Sequence, residues 1–176
     1  MMEFVYAYAY FILYAFLGWV CEDLYCGIPA KKFINRGFFY GPYCPIYGVG
    51  ALLVLYPLLF VKDYPILVFI LGVIITSTLE YITSWVMEIL FKTRWWDYSE
   101  RFMNINGRVC LLNSTLFGIM SIVVVYIIHP VIQDIVLDIP LTALMSFLSA
   151  FTIGFGIDCV FTVLALLRRK KVFQKV

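Results

Sequence analysis

The chain has 176 residues, of which 64% are hydrophobic and 14% are charged, and its formal net charge is +2. Soluble domains carry roughly 25% charged residues, so a mean hydropathy of +0.95 excludes an ordinary soluble domain. The small net charge also argues against nucleic-acid binding. Several apolar segments reach the about 20 residues that a helix needs to cross a bilayer. The composition predicts an integral membrane protein whose single transmembrane domain covers residues 1–176.

Five apolar segments are predicted to span the membrane, and in chain order they are residues 4–21, 45–61, 65–90, 110–128 and 141–167. Because lipid offers no hydrogen bonds, each segment must satisfy its own backbone as a helix, which predicts an all-α, polytopic transmembrane helix bundle. Pro45, Gly48, Gly50 and Pro57 interrupt the second segment, so a kinked or re-entrant course is open for it. Pro130 is expected to end the fourth helix.

The basic residues are distributed unevenly along the chain. Twelve of the 13 lie in the loops after the first and third spans and in the tail 168–176, and only Lys62 lies in an opposite connection. The positive-inside rule makes the basic side cytoplasmic. We therefore expect the N-terminus outside the cell, the C-terminus in the cytoplasm, and the tail held against anionic membrane lipids.

A short sequence pattern, Trp-Val-x-Glu-x-Leu-aromatic, occurs at residues 18–25 and again at residues 84–91. Each copy is followed by a basic, aromatic loop and then by an apolar segment with a glycine near its start, Gly48 or Gly118. The pattern favours a parallel internal repeat of two helical hairpins plus a fifth helix. Chance similarity is the alternative, because the match is short. The repeat units would be residues 4–61 and 65–128.

Four acidic residues lie within or at the ends of predicted spans: Glu22, Glu80, Glu88 and Asp158. An ionised carboxylate at the bilayer centre costs at least about 2.5–3.5 kcal/mol, so such a residue usually faces a cavity or a partner. Glu80, Ser84 and Glu88 are spaced i, i+4, i+8, which predicts a polar stripe on one helix face. We expect Glu80 and Asp158 to bind a proton or a cation, with Glu22 and Glu88 at the inner end of the path.

The two cytoplasmic loops are rich in aromatic residues, glycine and proline. Such loops either fold back to form a vestibule or dock at the membrane interface, where Trp95, Trp96 and Tyr98 would be anchors. In the first interpretation their polar residues bind substrate or ions, and these residues are Arg36, Asp97, Asn106 and Arg108. In the alternative, the acidic residues pair with the loop arginines and only stabilise the bundle.

Several motifs at the span ends and in the loops are distinctive. They are Gly18-Trp19 with Glu22, Asn35-Arg36-Gly37-Phe38, Gly41-Pro42, Cys44-Pro45-Ile46-Tyr47-Gly48, Trp96-Asp97-Tyr98, Asn106-Gly107-Arg108 and His129-Pro130. Through them the chain resembles the ABC-transporter type IV, or CmpB-like, family of small bacterial multi-pass membrane proteins, over roughly residues 8–135. This resemblance implies a permease-like role in the bacterial inner membrane.

The presence or absence of nucleotide-binding and metal-binding motifs predicts the cofactors and partners of the protein. No Walker A motif is present, so ATP coupling would need a separate subunit. The five cysteines show no Cys-x-x-Cys spacing, and neither a metal site nor a cofactor is expected. The expected partners are membrane lipids and, because the chain is small for a complete transporter, a second copy or a partner subunit.

Three classes of function stay open. The first is a permease or transporter component that moves a small solute or cation through a cytoplasm-facing polar cavity lined by carboxylates. The second, less favoured, is a membrane-embedded enzyme that acts on a lipid or isoprenoid headgroup. A cytoplasmic cluster would then hold the headgroup phosphate and supply an acid or base, and its residues are Glu22, Glu88, Asp97, Asn106 and Arg108. The third is a non-catalytic membrane subunit or a lipid-binding sensor.

Overall fold

The computed structural model describes residues 2–31 and 38–173, and most of these residues are helical. The helices in chain order are α1 (Met2–Ala30), α2 (Pro45–Leu58) with a 3₁₀ turn (Leu59–Val61), α3 (Pro65–Phe91), α4 (Leu111–Val123), a π turn (Val124–Ile128), α5 (His129–Asp138) and α6 (Leu141–Phe173). The prediction of an all-α, multi-helix membrane protein is confirmed.

Within the described residues, four helical segments are long and apolar enough to cross a bilayer: Met2–Tyr25, Pro65–Phe91, Leu111–Asp138 and Leu141–Leu166. The predicted second span, Pro45–Val61, forms a shorter apolar helix. It falls short of the about 20 residues that a straight crossing requires. Pro57 lies in its last α-helical turn, after which the helix tightens into the 3₁₀ turn. The direction in which the chain crosses the membrane stays a prediction.

The fourth helical segment continues through Pro130, and the prediction that it ends there was wrong. Proline inside a helix lacks a donor, and its ring meets the carbonyl four residues earlier, which here belongs to Tyr126. That residue lies inside the π turn, where the N–H of His129 donates to the carbonyl of Val124, five residues back. A π turn is wider than an α-helical turn, and this irregularity accommodates the proline.

The helices form two compact units: Met1–Val49 with Ile135–Val176, and Gly50–Asp134. In the first unit, α1 and the start of α2 pack with almost no space between their backbones. A Cβ atom added at Gly48 would lie 2.5 Å from the carbonyl oxygen of Phe11, and one added at Gly18 would lie 2.2 Å from the Tyr47 ring. The N–H of Cys44 donates to the carbonyl of Ala15 at 2.9 Å.

In the second unit, α3 and α4 pack through faces rich in small residues. The buried residues of α3 are spaced by multiples of four: Val68, Gly72, Glu80 and Ser84. Those of α4 are Ser114, Gly118 and Ser121. A Cβ atom added at Gly72 would lie 2.6 Å from the Cβ of Ser121. Small residues allow this close approach of helices in membranes, and the same face of α3 carries the predicted acidic stripe.

A small β-hairpin, which the sequence did not predict, precedes α4. Strand β1 (Asn104–Ile105) pairs antiparallel with β2 (Val109–Cys110). The N–H of Arg108 donates to the carbonyl of Ile105 at 3.0 Å, and the two residues between them have positive φ angles, 54° at Asn106 and 69° at Gly107. Asparagine and glycine tolerate this backbone conformation best, so the turn fits these two residues and fixes the position of Arg108.

Candidate functional site

The predicted polar stripe of α3 is present as a helix face. Glu80 and Ser84 are only 6% and 5% exposed, whereas the Glu88 side chain, near the end of the helix, is 34% exposed. The helix ends at Phe91, and Lys92 adopts a left-handed conformation that turns the chain into the following loop. This stripe, together with the loop and hairpin residues that contact it, is called the α3 polar cluster below.

Arg108 of the hairpin contacts two residues of the stripe. Its Nη2 lies 2.6 Å from Glu88 Oε2, and its Nη1 donates to Ser84 Oγ at 3.2 Å. The guanidinium carbon lies 5.7 Å from the centroid of the Tyr81 ring, within the range of a cation–π contact. The indole N–H of Trp96 donates to the Arg108 carbonyl at 2.9 Å. Trp96 therefore supports the arginine from the loop.

Arg94 and Asp97 complete the exposed end of the α3 polar cluster. Arg94 Nε donates to Glu88 Oε2 at 3.1 Å, and Arg94 Nη1 lies 3.8 Å from Asp97 Oδ1. That same oxygen accepts the hydroxyl and the N–H of Ser99, at 2.5 and 3.0 Å. The two Ser99 donors, together with the charge of Arg94, lower the pKa of Asp97. Asp97 is thus an ionised turn-forming residue.

Glu80, at the buried end of the cluster, contacts the loop through a tyrosine. The Tyr98 hydroxyl donates to Glu80 Oε1 at 3.1 Å and accepts from Asn113 Nδ2 at 2.6 Å. The N–H of Tyr98 donates to the Gly107 carbonyl at 2.7 Å, which ties the loop to the hairpin. Residues from α3, the loop and α4 therefore meet at one hydroxyl group, which can both donate and accept.

Five of the predicted site residues lie in the unit Gly50–Asp134: Glu80, Glu88, Asp97, Asn106 and Arg108. Asn106 is exposed, but its Nδ2 donates to the Tyr81 hydroxyl at 2.8 Å, and its carbonyl accepts from Arg94 Nη1 at 3.4 Å. The carboxylate–arginine pairing that the sequence left open as an alternative occurs at Glu88. Glu80 instead has a hydroxyl donor from Tyr98.

Two further predicted residues, Glu22 and Asp158, belong to the other unit. Glu22 Oε1 accepts the hydroxyl of Tyr47 at 2.5 Å. Asp158 accepts the N–H groups of Tyr40 and Gly41, at 3.1 and 2.7 Å. It also accepts two hydroxyls, that of Thr162 at 2.8 Å and that of Tyr43. Arg36, the remaining predicted site residue, lies outside the described residues.

Tyr43 is buried in the loop before α2, and its environment favours the protonated hydroxyl. Burial raises the pKa of Tyr43, and its hydrogen bond to the Asp158 carboxylate raises it further. The hydroxyl therefore stays protonated at neutral pH. Within the described part of the chain, no group of three or more His, Cys, Asp or Glu side chains is arranged to hold a metal ion.

The residues that the sequence did not reveal are mostly hydroxyl and amide partners. Tyr98 and Tyr47 lie in distinctive motifs, and Tyr98 is also a candidate membrane anchor, but neither motif predicts the partner of its tyrosine; Tyr43, Asn113 and Thr162 carry no distinguishing signal. A tyrosine near a span end fits the interfacial belt equally well. Only the course of the loops brings these side chains to the carboxylates.

The family described as "Putative ABC-transporter type IV" matches residues 9–163. The chain belongs to this family. The match extends from α1 into α6 and includes all the described site residues. Membership of the ABC-transporter type IV family, together with four long apolar helices, fits a transport-related, multi-pass membrane protein. No curated protein and no solved structure matches this member of the family.

Replacing Arg108 with methionine is expected to lower stability more than the same change at Arg94. Arg108 is 9% exposed, and its loss removes a partner from the buried Ser84 hydroxyl, at a cost of roughly 1–3 kcal/mol. The Arg94 side chain is 33% exposed, so water replaces its contacts. Lysine at position 108 should recover only part of the loss, because it lacks the planar fork of donors.

Thermal unfolding in maltoside micelles, followed by tryptophan fluorescence, measures the Arg108→Met, Arg108→Lys and Arg94→Met variants side by side. A melting temperature for Arg108→Met that equals that of Arg94→Met would contradict a structural role for the buried guanidinium.

Proposed function

We propose that the protein is a transport component of the bacterial cytoplasmic membrane that moves a small solute or cation by loading a proton or a cation at Glu80. The observation that carries the proposal is the position of this carboxylate. Glu80 lies well inside the 27-residue helix α3 and is 6% exposed. A carboxylate at this depth is costly to retain in a membrane helix and marks an ion or substrate pathway by default.

The α3 polar cluster supplies the groups that such a path requires. The Tyr98 hydroxyl contacts both Glu80 and Asn113, and because a hydroxyl can donate or accept, it can hydrogen-bond to either the ionised or the protonated form of Glu80. Protonation of Glu80 would remove the charge that Tyr98 stabilises. This supports a coupling between the charge of Glu80 and the position of the loop.

The exposed end of the same stripe is closed by the contacts of Glu88 with Arg108 and Arg94, at 2.6 and 3.1 Å. In our proposal these ion pairs form the gate between Glu80 and the cytoplasm, and Asp97 and Asn106 hold the loop that carries the gate. The basic loops support a cytoplasmic location through the positive-inside rule. Energy would come from the loaded ion or from a separate ATP-binding subunit.

Flux through purified protein in liposomes tests the role of Glu80. The liposomes enclose a pH-sensitive dye for proton flux or receive external radioactive Na⁺ for cation flux, and a potassium gradient with valinomycin supplies the driving potential. Wild-type protein should raise one of these fluxes above that of empty liposomes. Glu80→Gln should reduce that flux at least about tenfold, because the amide binds neither ion as the carboxylate does.

The matched control is Glu100→Gln, which changes an exposed acidic residue of the loop and should leave the flux unchanged. Tyr98→Phe should give an intermediate rate, since it removes the hydroxyl and keeps the ring. Each variant is compared at equal reconstituted protein and after a melting measurement. Folded Glu80→Gln with wild-type flux, or wild-type protein with no flux, would refute the proposal.

A further inference from the structure

A groove of about 770 Å³ lies beside α6, within the unit that contains Asp158. Its walls are mainly apolar and include five aromatic residues, three phenylalanines of α6 and two tyrosines of the loop before α2: Phe151, Phe155, Phe161, Tyr40 and Tyr43. Among the described residues that line the groove, Asp158 is the only charged one. The groove therefore combines aromatic surface with one negative charge.

Neutral hydrogen-bond donors stabilise the negative charge of Asp158. Two backbone N–H groups and two hydroxyls donate to its oxygens, two donors to each oxygen. A carboxylate has about four lone-pair sites, so these donors occupy its acceptor positions. Within the described residues, the three ion pairs all involve Glu88 or Asp97, and none involves Asp158. The carboxylate is fixed in position, and no cation among the described residues forms an ion pair with it.

The aromatic rings next to this charge are held by one another. Phe151 and Phe155 are stacked, with centroids 5.9 Å apart and planes at 13°. The Tyr43 ring meets both edge-on, at 5.6 and 5.3 Å. At Gly154, on the same helix, an added Cβ would have no atom within 4 Å. These rings leave open space and present π surfaces, which attract cations, to a ligand beside Asp158.

We propose that this groove binds an organic cation with an apolar body. The positive group lies beside Asp158 and Tyr43, and the apolar part lies along Phe151 and Phe155. A metal ion would have to displace the four donors to reach the carboxylate oxygens. An organic cation needs only the electrostatic field and the aromatic surfaces, and it supplies apolar area for the rest of the groove. An anion would be repelled.

This binding site does not depend on the proposed ion flux, because Glu80 belongs to the other unit. A free organic cation or the amine headgroup of a membrane lipid has the required chemistry. Binding and flux are measured separately, so either proposal can fail while the other holds.

Binding of radioactive tetraphenylphosphonium to the purified protein in maltoside micelles tests the site by equilibrium dialysis. Saturable binding is expected for wild type. Asp158→Asn should weaken the binding about tenfold or more, because the negative charge that attracts the cation is lost while part of the loop's hydrogen bonding is retained. Phe155→Leu should weaken it about threefold or more, since a π surface is lost. Phe155→Tyr should bind like wild type.

The matched control is Phe4→Leu, which removes an exposed ring of α1 outside the groove and should leave binding unchanged. Displacement of the probe by dodecyltrimethylammonium, with none by phosphatidylethanolamine, would assign the site to free cations, and displacement by the lipid would assign it to an amine headgroup. Absence of saturable binding, displacement by neither compound, or wild-type affinity in Phe155→Leu would overturn the proposal. If Asp158→Asn does not fold, the three phenylalanine variants decide.

Discussion

Replacing Asp158 with alanine is expected to destabilise the protein by roughly 3 kcal/mol, since a buried donor without an acceptor costs about 1–3 kcal/mol. Four donors lose their acceptor at once, and the Tyr40 N–H, which is exposed, recovers its bond from water. For a chain of this size each kcal/mol corresponds to roughly 2–4 °C, so the melting temperature should fall by about 6–12 °C. Tryptophan fluorescence in maltoside micelles measures this change.

Asparagine at the same position separates loss of the acceptor from loss of the charge. Its amide oxygen still accepts two donors, and its amide nitrogen can donate to the Tyr43 oxygen, so two of the four donors, the Gly41 N–H and the Tyr43 O–H, lose their acceptor. We therefore expect Asp158→Asn to be clearly more stable than Asp158→Ala. Equal melting temperatures for the two variants would show that the hydrogen bonds do not hold the loop.

The second large effect is expected from Gly48→Ala, at the crossing of α1 and α2. The new Cβ would lie 2.5 Å from the Phe11 carbonyl oxygen and 2.6 Å from its ring. A backbone carbonyl cannot rotate away as a side chain can, so the two helices must separate. Overpacking of this kind costs roughly 1–3 kcal/mol. The free energy of unfolding, from denaturant titration in mixed micelles, measures the loss.

Gly156→Ala is the matched control, because a Cβ at that position meets nothing within 4 Å. Alanine is favoured over glycine in a helix by up to about 1 kcal/mol, so this variant should be as stable as wild type or slightly more stable. If both alanine variants shift the unfolding curve equally, the close contact between α1 and α2 at Gly48 does not determine the stability of the protein.

The sequence predicted the helices well where lipid alone determines the structure. The third span was predicted at residues 65–90 and is Pro65–Phe91, because a long apolar segment in a membrane has no alternative to a helix. The prediction for Pro130 failed because it relied on a local rule alone. The preference of proline for helix ends does not indicate that a π turn precedes this proline and accommodates it. The internal repeat and the membrane orientation stay predictions.

The candidate site was predictable only along one helix. The spacing of Glu80, Ser84 and Glu88 is fixed by helix geometry, and the structure places all three on one face. Their partners depend on the course of a loop, which no short pattern specifies. The pairing of Arg108 with Glu88 was one of two open alternatives, and the contacts of Tyr98 and Tyr43 were not anticipated.

The π turn at Val124–Ile128 has a consequence for the comparison of relatives. Such a turn contains one residue more than a regular turn of α-helix. A family member that lacks one residue at this place would keep the helix on both sides, and all its later positions would be displaced by one. An alignment of such a sequence should therefore place its gap between residues 124 and 128. A gap placed after Pro130 would misalign His129 and Pro130 with unrelated residues.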